Sequence, residues 1–342
     1  MTMRGAGARS ATCEAAPNIA LVKYWGMRDP SLGLPFNSSL SLTLDRLRTR
    51  TVVAFRDGPG PDTFRLNGAP VEGPRREAVT RFLDRVRALA RTTAGADVDS
   101  RNNFPTASGL ASSASGFAAL AGAATAAAGL ALSPRALTQL ARLGSGSASR
   151  SVLGGFVEWR AGSARDGHDC YATELHPPGF WPELKDVVAL IADAPEKAVR
   201  SADAMQRSVA TAPGYRARVD AVSGRLGRLR RAVAERRAPT VFRLVMEECD
   251  EFRSVCETTR PRLDYLTPSS RAVLDAVRSL NADAGETIAG YTHDAGAHVH
   301  VFTLARDAGR LRRRLADVPG IARLLTLGAG PGLTVLARPG TD

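Results

Sequence analysis

The run from Ala114 to Ala128 is made mostly of alanine, with a few glycine, serine and threonine residues among the rest. Alanine is the best helix former but presents little bulk on any face, so a close-packed, buried helix is predicted here. Pro105-Thr106-Ala107-Ser108-Gly109-Leu110-Ala111-Ser112-Ser113 leads straight into it. Small residues let backbone amides approach an anion, and a helix start adds unpaired donors and partial positive charge. Taken alone, the loop is either a nucleotide-phosphate cradle or a tightly packed helix start. No Gly-Lys-Ser/Thr follows, so it is not a Walker loop, and it lacks the dinucleotide fingerprint.

Around this helix the pattern is α+β. Strands are predicted at Ile19 to Tyr24, within the alternating stretch Leu32 to Leu44, at Thr49 to Phe55 and at Thr63 to Leu66, the last followed by the turn dipeptide Asn67-Gly68. The start of the chain, ahead of the strand at Ile19, reads as disordered. Helices are predicted from Glu77 to Arg91 and from Pro134 to Leu143, the latter capped by Ser133. Gly154 to Trp159 and Val187 to Ala192 read as strands, the second buried. Ala204 to Asn281 is helical in period, Thr287 to Thr292 and Val299 to Leu304 form a strand pair, and a helix near Ala308 to Leu315 and a strand near Leu333 to Leu336 follow.

The chain has 342 residues, 44% hydrophobic and 23% charged, enough to bury one large core or two coupled ones. Its net charge of +12 comes from arginines spread through every segment and not from a basic stripe interleaved with aromatics, so nucleic-acid binding is disfavoured. Cys13, Cys170, Cys249 and Cys256 form no C-x-x-C pair, which fits a reducing cytoplasm. No apolar run reaches the roughly 18 residues needed to cross a bilayer, and the N-terminus lacks an apolar signal core. Lysine occurs only at positions 23, 185 and 197. Against that arginine bias, Lys23 in an apolar strand suggests a specific need for an ammonium group.

Three further segments carry candidate chemistry. Gly144-Ser145-Gly146-Ser147-Ala148-Ser149-Arg150-Ser151 sets hydroxyls and amides beside one guanidinium, a pocket suited to a carboxylate or phosphate, and the apolar Val152 to Trp159 pulls Arg150 inward. In Ala16 to Gly26, a buried Lys23 requires a carboxylate partner. Tyr291-Thr292-His293-Asp294-Ala295-Gly296 places an acid at a tight turn between strands, either as an Asx-type turn residue or as a base oriented by Lys23. Alternation puts His298 and His300 on one face without a third partner, so a histidine metal site is not expected and magnesium would arrive with ATP.

The segments APNIALVKYWG, LPFNSSLSLTLD, NNFPTASGLASSASGFAAL, GSGSASRSVLGGFVEW and YTHDAG stand in the order and approximate spacing of the diphosphomevalonate decarboxylases, members of the GHMP kinase superfamily, and the chain resembles that family over nearly its whole length. The resemblance implies a two-lobed GHMP-kinase-like fold with an active-site cleft, the lobes spanning residues 1–185 and 186–342. It implies a small anionic 3-hydroxy acid as substrate, ATP and magnesium as cofactors, and a cytoplasmic homodimer. Asp294 would be the base, Lys23 its orienting partner, and Arg150 the clamp on the substrate carboxylate with Asn18 and Ser201. Tyr24, Ser145 and Ser147 would line the substrate diphosphate pocket, and Met205 would be a further substrate-binding residue. Ser100 and Asn102 would lie near the adenine, while Ser108, Gly109, Leu110, Ala111, Ser112 and Ser113 would cradle the ATP phosphates, with magnesium near Ser113. The reaction implied is ATP-dependent decarboxylation of (R)-5-diphosphomevalonate to isopentenyl diphosphate. The alternative is a related decarboxylase or kinase acting on mevalonate, phosphomevalonate or another 3-hydroxy acid.

Two positions depart from the family pattern. Met27 stands where the family has a lysine that helps bind the diphosphate, with Arg28 or Arg200 as possible replacements, and Ala297-His298 stands where it has Pro-Asn.

Overall fold

The computed structural model describes residues 9–104, 112–192, 194–195 and 199–337. In chain order the first half holds β1 (Arg9–Ala15), β2 (Asn18–Val22), β3 (Met27–Asp29), β4 (Leu34–Pro35), β5 (Ser39–Thr43), β6 (Thr49–Phe55), β7 (Thr63–Leu66), β8 (Ala69–Pro70), α1 (Pro74–Ala90), β9 (Ala96–Asn102), α2 (Ser112–Ala127), α3 (Pro134–Ala141), α4 (Ala148–Ser151), β10 (Phe156–Trp159) and β11 (Ala172–His176). The second half holds β12 (Leu184–Ile191), α5 (Ser201–Thr211), α6 (Tyr215–Ala234), α7 (Ala238–Thr258), α8 (Pro268–Ala284), β13 (Ala289–Thr292), β14 (Val299–Leu304), α9 (Ala305–Ala316), β15 (Ile321–Leu327) and β16 (Thr334–Ala337).

Among the described residues, one sheet has the order β16-β1-β6-β9-β7-β8, a second β11-β10-β5-β2 and a third β13-β14-β12-β15. The alanine-rich α2 lies on β1 and β6 with Ala114, Ala118, Ala121 and Ala124 wholly buried. The helix comes so close that a Cβ at Gly122 would sit 3.1 Å from the Cys13 sulfur and 2.6 Å from Leu333. That closeness corrects the expected disordered start. The inward residues of β1 are Ala11, Cys13 and Ala15, small because a small-residue helix rests on them, so the alternation carries no bulk for a periodicity search to detect. Strand β9 was likewise not anticipated, since its inward positions are only Ala96, Val98 and Ser100.

Elsewhere the local chemistry matches the elements. Ser133 caps α3 by accepting from the amide of Ala136. Asn67 and Gly68, at φ 51° and 85°, make the two-residue turn joining β7 and β8, where positive φ suits the strand twist. The apolar β12 is central in its sheet, between β14 and β15. A single hydrophobic cluster joins the second and third sheets, with Ile19, Leu40 and Leu42 packing through Leu226, Leu229, Phe242 and Val245 onto Val188 and Phe302. Gly290 in β13 admits the backbone of α7, because a Cβ there would meet the Phe242 Cα at 2.6 Å. The end of β2 and the turn after β13 are thereby brought together.

Candidate active site

Lys23 follows directly on β2 and is 4% exposed. Its ammonium donates to Asp294 Oδ1 at 2.9 Å and to the Ala20 carbonyl at 3.2 Å. Asp294 sits in the turn between β13 and β14 with about a quarter of its side chain open, 26%. Burial by itself would raise its carboxyl, but the charge and hydrogen bond of Lys23, then His300 and Arg150, outweigh that and hold it below the usual carboxylate range. The carboxylate is thus ionised, and part of it stays open.

Arg150, in the short helix α4, is 3% exposed. Its Nε donates to Asn18 Oδ1 at 3.1 Å and its Nη1 to Ser39 Oγ at 2.6 Å. Among the described residues no carboxylate lies within ion-pair distance of it, in contrast to the paired buried arginines at 218 and 225. Burial pulls its pKa down, opposed by Tyr24 and Asp294. A buried guanidinium without an acid partner is costly to desolvate and becomes well satisfied when an anion enters. Asn18 is itself fixed by donating to the Ser147 carbonyl at 3.1 Å and to Ser151 Oγ at 2.8 Å.

Tyr24 closes the group. Its ring lies 5.7 Å from the Arg150 guanidinium and edge-on to Trp159. Burial pushes its phenol pKa up while Arg150 and Ser147 oppose this, so the hydroxyl is neutral. Ser145 and Ser147 share a hydrogen bond of 3.1 Å. Lys23, Asp294, Arg150, Asn18, Tyr24, Ser145 and Ser147 therefore converge.

Ser201 opens α5, and Met205, one turn on, is buried in a cluster with Trp25, Tyr215, Phe252 and Ala295 of the Asp294 turn. Ser100 Oγ bonds Thr51 Oγ1 at 2.8 Å, and Asn102 Oδ1 accepts from Thr49 Oγ1 at 2.7 Å. Thr49 also bonds Ser115 Oγ at 2.7 Å, tying this end of β9 to the start of α2, where Ser112 is half-buried and Ser113 exposed. Ser108, Gly109, Leu110 and Ala111 lie outside the described residues.

His298 accepts from the Ile191 amide at 3.1 Å, and His300 pairs with Asp186 at 2.7 Å. No group of three or more His, Cys, Asp or Glu able to hold a metal occurs among the described residues. Met27 packs into an apolar cluster with Leu34 and Trp159. Of the candidate replacements, Arg28 donates to the Ala161 and Ala164 carbonyls and Arg200 pairs with Asp203.

Sequence reasoning missed Ser39, Asn37 and Glu248. The first two lie within the polar face of PFNSSLSLTL. Glu248 was detectable in principle, as a lone acid on the apolar stripe Val241, Val245, Phe252 and Val255 of α7.

The mixed helix-and-sheet architecture matches that of mevalonate diphosphate decarboxylase structures, which have the GHMP-kinase fold. A family model described as diphosphomevalonate decarboxylase-like N-terminal domain matches residues 15–172, and one described as mevalonate 5-diphosphate decarboxylase C-terminal domain matches residues 187–322. The diphosphomevalonate decarboxylase of Homo sapiens is 40% identical over 309 residues, which is 86% of this chain and 76% of that protein. Mevalonate diphosphate decarboxylase from Staphylococcus aureus superposes with a TM-score of 0.90 at 32% identity, covering 97% of this chain and 99% of that one. A protein designated MDDEF, solved with MVAPP, AMPPCP and magnesium, gives 0.89 at 37% identity over 96% and 99%. The chain belongs to the diphosphomevalonate decarboxylase family. No helix among its described residues is long and apolar enough to cross a membrane.

Proposed function

We propose that this protein catalyses ATP-dependent decarboxylation of (R)-5-diphosphomevalonate to isopentenyl diphosphate, with ADP, phosphate and carbon dioxide as the other products. The observation that carries the proposal is the buried Arg150, which meets no carboxylate among the described residues, beside the Lys23–Asp294 pair. Such a site suits a substrate that bears both a carboxylate and a hydroxyl.

In this reading Asp294 accepts the proton of the tertiary hydroxyl as its oxygen attacks the γ-phosphorus of ATP, and Lys23 keeps the carboxylate ionised and aimed. Arg150, with Asn18 and Ser201, grips the substrate carboxylate. The new phosphate then departs with its electron pair, positive charge builds at the tertiary carbon, and the bond to the carboxylate supplies the electrons of the alkene as carbon dioxide leaves. Holding the reacting groups in line accounts for most of the first step.

Tyr24, Ser145 and Ser147 line the diphosphate end, and Met205, packed with Trp25, backs the substrate site. Ser100 and Asn102 are assigned to the adenine side, and Ser108 to Ser113 to the ATP phosphates. The hydroxyls at the start of α2, Ser113 above all, are hard oxygen donors of the kind magnesium takes, and the ion would neutralise phosphate charge there. The lobes are assigned to residues 1–185 and 186–342, with β16 crossing back to pair with β1. A homodimer in the cytoplasm completes the reading.

A second reading, the same reaction on a less phosphorylated 3-hydroxy acid, is favoured by the apolar surroundings of Met27 and the engaged state of Arg28 and Arg200. Purified protein with ATP and mevalonate, its 5-phosphate or its 5-diphosphate, with ADP and carbon dioxide measured separately, tests both. Matched release of ADP and carbon dioxide with the diphosphate supports the first reading. ADP without carbon dioxide from all three acids would make the protein a kinase.

A further inference from the structure

Lys23 is held by more than its charge. The register of β2 against β5 shifts between Ala20 and Val22, and Lys23 lies beyond the last ladder pair, so its own peptide groups find no partner in the sheet. Three side chains supply what the sheet does not. The Lys23 amide donates to Glu248 Oε1 at 3.0 Å, and its carbonyl accepts from Asn37 Nδ2 and from Arg218 Nη2, both at 3.0 Å.

Glu248 is fully buried on α7, and Arg218 and Arg225 on α6 are 3% and 4% exposed. Arg218 Nη2 also donates to Glu248 Oε1, Arg225 Nη1 donates to Oε2 at 2.5 Å, and Arg225 Nη2 reaches Glu251. The two guanidiniums and two carboxylates balance in charge. Helix α6 adds one further strap, since the Tyr215 hydroxyl donates to the Trp25 carbonyl at 2.7 Å.

Burying such a cluster is expensive, and well-packed apolar side chains of the same volume are often as stable or more so. Apolar side chains, however, cannot hold a main-chain N–H and C=O. We propose that Glu248 and Arg218 are positioning residues that clamp the backbone of Lys23 from the α6–α7 pair and so keep its ammonium against Asp294. A displacement of the Lys23 backbone lengthens the 2.9 Å contact on which the ionisation and aim of Asp294 depend. The other groups facing Asp294 are Arg150 and His300, with the Tyr24 phenol and the buried, neutral His293 beside it. Those facing Glu248 are Arg218, Arg225 and the Lys23 amide.

The inference rests on the reading of Asp294 as base. Two variants of the full chain test it: Arg218→Lys, which keeps the charge balance but loses the planar fork, and Glu248→Gln, which keeps shape and an acceptor but loses the charge. Rates are measured per folded molecule against pH with saturating ATP and the acid substrate. A misplaced catalytic group costs up to about 100-fold, so kcat of Arg218→Lys should fall roughly 10-fold or more while KM for ATP stays near normal. The acid limb of its kcat profile should also move to higher pH, because a retreating ammonium leaves burial to raise Asp294.

A role in stability alone would lower the folded fraction without moving that limb. Should Glu248→Gln fail to fold, Arg218→Lys carries the same expectation. An unmoved limb and unchanged kcat in Arg218→Lys, alongside an inactive Asp294→Asn, overturn this inference alone. A fully active Asp294→Asn overturns the reading of the site beneath it.

Discussion

The Nζ atom of Lys23 lies 2.9 Å from Oδ1 of Asp294, a residue 271 positions further along the chain. One end of the contact is the exit of a strand from the first half and the other a turn in the second, so the pair exists only when both halves are folded and docked.

Replacing Lys23 by methionine removes the largest influence that lowers the Asp294 pKa and leaves burial to raise it. The acid limb of kcat in Lys23→Met should move to higher pH, as read from rates between pH 4 and 8. An unmoved limb would show that the ammonium does not govern the carboxylate.

Arg150 should act on the acid and not on the nucleotide. Arg150→Lys keeps the charge but loses the two-pronged grip, and a loss of roughly 100-fold in kcat/KM for the acid is expected, with KM for ATP little changed. Steady-state titration of each substrate checks this. Equal effects on both would place Arg150 outside the carboxylate site.

Much of this arrangement was legible before any coordinates. A lysine in an apolar segment needs an acid, and Lys23 meets Asp294; an arginine followed by an apolar strand is drawn inward, and Arg150 is buried. What escaped were features whose signal is small or long-range. Strand β1 hides because Ala11, Cys13 and Ala15 are matched to an alanine helix and carry no bulk. Glu248 looks like one more acid in a charged helix until the inward stripe of α7 is traced. Even then, only the fold shows that it meets the Lys23 amide. The state of Met27 was also invisible, since a methionine can line a pocket or fill a core, and here it joins an apolar cluster.

His293 and His298 are buried neutral, with pKa values lowered by burial to about 4 in each case. The unfolded chain binds protons at these two groups near pH 6.5, so between there and about pH 4 it holds more protons than the native state. Their contribution to stability is fully present above the unfolded pKa and is lost as pH falls towards 4. The melting temperature should therefore drop across that window. His293→Phe should flatten the slope by roughly half of the histidine contribution. A pH-independent melting temperature between 7 and 4 contradicts this.

Gly290 allows the backbone of α7 to lie against β13 just before the Asp294 turn. Gly290→Ala forces a Cβ to 2.6 Å from the Phe242 Cα, and overpacking of this kind costs about 1 to 3 kcal/mol. Urea denaturation should show a lower midpoint. A wild-type midpoint would mean that α7 can shift freely on the sheet.

The central claim is that Asp294 takes the proton from the alcohol, and Asp294→Asn keeps its shape while removing the base. With ATP and diphosphomevalonate at saturation, kcat should fall by about 10² to 10⁴-fold while the protein stays folded and binds nucleotide. A turnover within a few-fold of the unmodified protein would contradict the account.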